Sequence, residues 1–153
     1  MPARTGQQYL DGLRNQPREV FIGGGRVQDV TTHQGLSGGA SSIAALYEIQ
    51  YDSNIKKEMV YTSPSTGDPV GLSFLATRTR EDLVRRRVMM SRWAHTSHGM
   101  MGRTPDFLNV SLMCMAEAGD YFAQNSPEFK NNIKNYYEYI RENDLTLTHT
   151  LVN

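Results

Sequence analysis

The sequence predicts a mainly α chain with short β-hairpins. Apolar residues recur at helical spacing in several long stretches. Four of those stretches open on a helix-start signal, at Thr5, Thr79, Thr104-Pro105 and Ser126-Pro127. The β-branched and aromatic runs, by contrast, are short and bounded by glycine or proline.

Taken in order, Thr5 caps a helix through about Leu13, with Tyr9, Leu10 and Leu13 on one side, and Pro17 stops it. Val20-Phe21-Ile22 and Arg26-Val27 flank Gly23-Gly24-Gly25, which predicts a hairpin. The triplet lacks the GxGxxG spacing and strand–helix context of a phosphate loop. Val30-Thr31-Thr32-His33 reads as extended. A Gly/Ser-rich entry, Gly35 to Ser42, then leads to a helix with Ile43, Ala44, Leu46, Tyr47 and Ile49 on its apolar face.

Met59–Thr62 and Val70–Leu75 read as strands around a loop rich in Ser, Pro and Gly. Thr79 with Asp82 resembles a capping box and opens a helix to about Ser97. Leu83, Val84, Val88 and Met90, with Trp93 and Ala94, are its expected buried stripe. The triplet Arg85-Arg86-Arg87 is expected on a solvated or interface-facing side. Gly99 to Gly102 breaks this helix. The next, Pro105 to about Ala123, is apolar on most sides and is expected to be buried, with Cys114 as an inert core thiol. A fourth runs from Ser126-Pro127 to near Asn143. Leu145–Asn153 alternates apolar and polar residues, as a strand would. That strand runs straight into the last residue, which suggests a boundary within a longer polypeptide.

Composition narrows the function classes. At 153 residues the chain is long enough for one core, and its 39% hydrophobic and 21% charged residues suit a soluble globular domain. Sixteen basic and sixteen acidic residues cancel, so no bulk field draws nucleic acid or an anionic membrane. No apolar run approaches the roughly 20 residues of a membrane span. The start, MPARTGQQYL, lacks the apolar stretch of a signal peptide. One cysteine rules out an internal disulfide or a multi-cysteine metal site made by this chain alone. A cytoplasmic location is the default expectation.

Candidate chemistry concentrates at two places. Met100–Asn109, MMGRTPDFLN, puts Arg103 in a Gly-flanked turn before a helix start, a setting that suits an anionic or oxygen-rich ligand. His149, between Thr148 and Thr150, is suited to proton exchange near neutral pH. A buried histidine bonded to a backbone carbonyl is the competing expectation. His95 and His98 can share a helix face, but two ligands do not make a metal site. No metal ligands, Walker loop or Ser–His–acid arrangement stands out.

Several segments together resemble one family. ARTGQQYLDGLR, DVTTH at 29–33, SIAALYEIQYD at 42–52, GLSFL at 71–75, EDLVRRR, MMGRTPDFLN and ENDLTLTHTLVN are similar, in order, to the N-terminal region of the oxygenase component of 4-hydroxyphenylacetate 3-monooxygenase. The resemblance implies an acyl-CoA dehydrogenase-like flavoprotein in which residues 1–153 form the N-terminal helical domain, without the β-barrel and C-terminal helical bundle.

It also implies a two-component enzyme. A separate NAD(P)H:flavin reductase supplies FADH2, and a flavin C4a-hydroperoxide formed with O2 hydroxylates a phenol ortho to its hydroxyl. The resemblance assigns Arg103, Thr104, Pro105, Asp106, Phe107 and His149 to the phenol site, with Arg103 and His149 as the catalytic pair. His149, Thr150 and Leu151 are assigned to the flavin, and a homo-oligomer is expected. One departure stands out: Phe107 replaces a tyrosine of several relatives, which removes a hydroxyl donor and opens the choice of phenol. The alternatives are a 4-hydroxybutyryl-CoA dehydratase-like lyase and a truncated, non-catalytic chain. Cys114 alone cannot hold the iron–sulfur cluster of the former.

Overall fold

The local start signals build the helices. Thr5 Oγ1 accepts from the N–H of Gln8, and the Gln8 side chain accepts from the N–H of Thr5, opening α1 (Gly6–Asn15) with a full capping box. Thr79 and Asp82 do the same for α4 (Arg80–Thr96). A computed structural model describes residues 3–99 and 106–148. Along the described chain the elements are α1, β1 (Phe21–Ile22), β2 (Gly25–Arg26), α2 (Ser37–Glu48), a 3-10 turn (Ile49–Tyr51), α3 (Lys56–Met59), β3 (Val60–Thr62), β4 (Pro69–Gly71), a second 3-10 turn (Leu72–Phe74), α4, α5 (Asp106–Glu117), α6 (Gly119–Phe122) and α7 (Pro127–Glu142). The expected mainly α chain with short hairpins is what forms. No helix among the described residues is long and apolar enough to cross a membrane.

The chain divides into two units. The first, Arg4–Lys56, pairs α1 with α2 and carries the β1–β2 hairpin. Gly23 and Gly24 have φ of +58° and +80°, which glycine adopts at no steric cost, so these two make the hairpin turn and Gly25 begins β2. Gly6 marks where the two helices touch: a Cβ there would lie 2.5 Å from the Ala44 carbonyl oxygen. Tyr9 and Tyr47 stack at 5.2 Å, and the Arg4 guanidinium lies 4.8 Å over the Tyr47 ring. Two expectations change here. Residues 30–33 form a turn rather than a strand, because Asp29 Oδ1 accepts from both the N–H and the hydroxyl of Thr31 at 2.7 Å. The Gly/Ser-rich entry is already helical from Ser37.

The second unit holds the rest, together with Ala3, whose N–H donates to the Pro69 carbonyl at 3.2 Å. Strands β3 and β4 pair antiparallel with Tyr61 opposite Val70. Val70 and Leu72 are fully buried, and Phe74, Met113, Tyr137 and Ile140 form a core with Leu145 and Leu147 packed against it. The hydroxyls of Tyr61 and Tyr137 both donate to the Phe74 carbonyl. Helices α4 and α7 end in the same way. His98 and Asp144 take φ of +52° and +46°, and the N–H groups after them, of Gly99 and Leu145, reach back to Ala94 and Ile140 at 2.8 and 3.0 Å.

Further expectations change in this unit, among them the strand expected over Val70–Leu75, which ends at Gly71 and gives way to the 3-10 turn Leu72–Phe74. The expected stripe of α4 holds only in part: Trp93 is buried and Val88 and Ala94 are half-buried, but Leu83 and Val84 are more than half exposed, and Arg86 and Met89 are buried in their place. So the middle of the arginine triplet is not solvated. Helix α5 buries Asp106, Asn109 and Met113 and exposes Phe107, Cys114 and Met115, so it is not enclosed on most sides and Cys114 is not a core thiol. It also stops at Glu117, with α6 a separate turn. Leu145–Thr148 is not a strand; its leucines pack on the core without a ladder partner.

Candidate functional site

Of the residues expected at the site, Asp106 and Phe107 lie among those described. Arg103, Thr104, Pro105, His149, Thr150 and Leu151 lie outside them. Asp106 opens α5, where a carboxylate meets the positive end of the helix dipole. Its side chain faces the interior rather than solvent, and the residue is 5% exposed. Oδ1 accepts from Arg86 Nη2 at 2.7 Å and from Ser73 Oγ at 3.0 Å. Arg86, 7% exposed, also donates from Nη1 to the Ser73 carbonyl at 2.6 Å. Asn109 Nδ2 donates to Ser73 Oγ at 2.9 Å. Two buried charges thus meet as a pair with further hydrogen bonds around them, the condition under which a buried ion pair is tolerated.

One residue on, Phe107 is turned about 100° around the helix and is 62% exposed. It presents an aromatic face on the first turn of α5. Further along, α5 contributes Met113 to the core on which Leu145 and Leu147 also pack. The later turns of α5 and Leu145 and Leu147 therefore share one core.

Sequence reasoning missed Arg86, Ser73 and Asn109. The available signal was spacing: Arg86, Met89 and Trp93 follow i, i+3, i+7, one helix face. Three buried side-chain atoms have no hydrogen-bond partner among the described residues: Trp93 Nε1, Ser97 Oγ and Asn109 Oδ1. A groove of about 460 Å³ opens elsewhere in this unit, along Tyr61, Leu75, Ala116, Tyr137 and Arg141. Its main polar groups are satisfied within the fold. Burial pushes the Tyr61 phenol well above its ordinary range, and Arg141 is held by Glu142 and Ser65.

A family model described as 4-hydroxyphenylacetate 3-hydroxylase N terminal matches residues 5–153. The chain belongs to this family. Across the whole chain it is 46% identical to a 4-hydroxyphenylacetate 3-monooxygenase oxygenase component from Geobacillus sp. (strain PA-9), of which it spans 31%. A crystal structure of the oxygenase component of 4-hydroxyphenylacetate 3-monooxygenase complexed with FAD and 4-hydroxyphenylacetate superposes with a TM-score of 0.86 at 40% identity. It covers 99% of this chain and 31% of that one. The chain thus spans about a third of the length of these relatives. An archaeal 4-hydroxybutyryl-CoA dehydratase from N. maritimus matches with a TM-score of 0.78 at 15% identity, over 94% of this chain and 28% of that one. This likeness shows a shared fold and nothing further. The monooxygenase family is favoured over the dehydratase alternative.

Proposed function

We propose that this chain is the N-terminal part of a two-component, FADH2-dependent monooxygenase that hydroxylates a phenol such as 4-hydroxyphenylacetate ortho to its hydroxyl. A separate NAD(P)H:flavin reductase is its partner, and the complete protein is a cytoplasmic homo-oligomer. The observation that carries this reading is the 46% identity over all 153 residues.

The ring carbon must become nucleophilic, so the phenol must lean toward phenolate. Arg103 supplies a fixed fork of donors to that oxygen, and His149 bonds to it and can take its proton. Thr104, Pro105 and Phe107 form the adjoining wall, and the apolar face of Phe107 helps keep water from the reacting groups. Asp106 belongs to the same stretch. His149, Thr150 and Leu151 offer an imidazole, a hydroxyl, backbone amides and an aliphatic side chain. This donor set suits the polar edge and apolar face of a flavin ring, so the residues fit FAD. When bound, reduced FAD would supply the two electrons that activate O2, of which one atom would enter the ring and the other would leave as water.

The test is hydroxylation by the complete polypeptide with a flavin reductase and NAD(P)H, with the catechol product identified by mass. Arg103→Ala and His149→Ala should each lower kcat/KM by about 100-fold or more. The 153 residues alone should give no turnover. Native rates in both variants would overturn the assignment.

A further inference from the structure

We infer that Arg86, through Asp106, Ser73 and Asn109, positions Phe107 of the phenol-contacting stretch, and that Asp106 is the anchor of the first turn of α5 rather than a contact to the phenol. The inference rests on the proposed reading of this stretch as phenol wall.

The geometry carries it in three steps. First, Asp106 Oδ1 is occupied by two donors of the fold, Arg86 Nη2 and Ser73 Oγ. A carboxylate so buried and so bonded is committed to the protein. Second, the network ties three elements together. One Arg86 guanidinium from α4 reaches Asp106 on α5 and the Ser73 carbonyl of the 3-10 turn. Ser73 Oγ donates to Asp106 and accepts from Asn109. Asp106 and Asn109 stand at i and i+3, so the first turn of α5 is held at both ends of one face. Third, Phe107 lies between these two anchors and emerges on the open side. Fixing the face beneath it fixes its direction. A planar guanidinium can bridge two acceptors at fixed angles, which a lysine ammonium cannot reproduce. A misplacement of about 1 Å at a reacting site can cost on the order of a hundredfold.

The experiment uses the complete polypeptide with reductase, NAD(P)H and 4-hydroxyphenylacetate. It compares Arg86→Gln, the double variant Arg86→Gln/Asp106→Asn, the milder Ser73→Ala, and Arg87→Gln as an exposed control on α4. Phenol KM, kcat, catechol formed per oxygen consumed and the thermal midpoint are measured for each. Ser73→Ala should lower the midpoint less than Arg86→Gln does, yet raise phenol KM by about tenfold and lower catechol per oxygen. The double variant should regain midpoint relative to Arg86→Gln, because no charge is left unpaired, and still keep the raised KM. A KM within twofold of the control in both Ser73→Ala and the double variant would overturn the inference. So would a KM that merely follows the midpoint across the series. Arg103→Ala, run alongside, separates the two levels. A native KM there sinks the phenol wall and this inference with it. A raised KM there with native values in Ser73→Ala and the double variant sinks only the positioning role.

Discussion

Two arginines of the second unit are almost equally buried, Arg86 on α4 and Arg141 on α7, and they keep different company. Arg86 meets a carboxylate 20 positions away, and the hydrogen bonds around the pair join α4, α5 and the 3-10 turn. Arg141 meets its own neighbour Glu142 at 2.7 Å and stacks over the Tyr137 ring at 5.2 Å. From there it holds a loop: Arg141 Nη2 donates to Ser65 Oγ, while Glu142 accepts from the Ser63 and Thr66 hydroxyls at 2.6 and 2.8 Å. The side chain of Asp106 is 7% exposed and that of Glu142 17%. One cluster fixes where three elements meet; the other fastens a surface loop to a helix end. Similar burial of an arginine therefore says little about what it holds, and the identity and distance of its partners decide.

Breaking the inner cluster should cost most. Arg86→Ala leaves the Asp106 carboxylate buried without its counter-charge, and denaturant unfolding should show a loss of about 3–5 kcal/mol. Glu142→Gln, at the outer cluster, keeps one carbonyl acceptor near water and should lose only about 1–2 kcal/mol. The outer cluster should also respond to acid. Burial pushes the Glu142 carboxyl up, but the bonds from Ser63, Arg141 and Thr66 outweigh it and hold it below the ordinary glutamate value of 4.5. A carboxylate lowered on folding stabilises fully above that ordinary value and loses its contribution as pH falls through the lower, folded value. Unfolding measured between pH 6 and pH 3 should show this acid loss in the native chain and less of it in Glu142→Gln.

Smaller effects sharpen the contrast. Ser65→Ala removes one hydroxyl acceptor from Arg141 and should cost about 1 kcal/mol, read by the same unfolding curves. Phe107→Tyr sits above the inner cluster yet adds only an exposed hydroxyl. Stability should stay within about 0.5 kcal/mol. Binding of a phenol by the complete polypeptide should tighten by about fivefold, the equivalent of one added hydrogen bond of about 1 kcal/mol.

How much of this was legible follows from the range over which each signal acts. Thr5 with Gln8, Thr79 with Asp82, and the Gly23-Gly24 turn act within four residues, and their elements form where they were expected. The turn at 30–32 was hidden by β-branched residues, whose strand preference was overridden by the bonds of Asp29 to Thr31. Alternation in Leu145–Thr148 mimicked a strand, because leucines two apart can pack on a core without any ladder. On α4 the arginine triplet masked the true face, since a buried arginine looks polar until its acceptors are known. Asp106 was flagged by its neighbours in sequence. Its partners Arg86 and Ser73 stand 20 and 33 positions away, and no local pattern encodes such a meeting.

Cys114 gives the chain a use unconnected with its own chemistry. It is the sole cysteine in 153 residues, and it is exposed on α5. It stands eight residues after Asp106, about 12 Å along the helix axis. A nitroxide or fluorophore attached there would need no background thiols removed from this chain. It would report the tumbling of the very helix whose first turn is anchored below, turning a thiol once expected to be inert into a fixed point of observation.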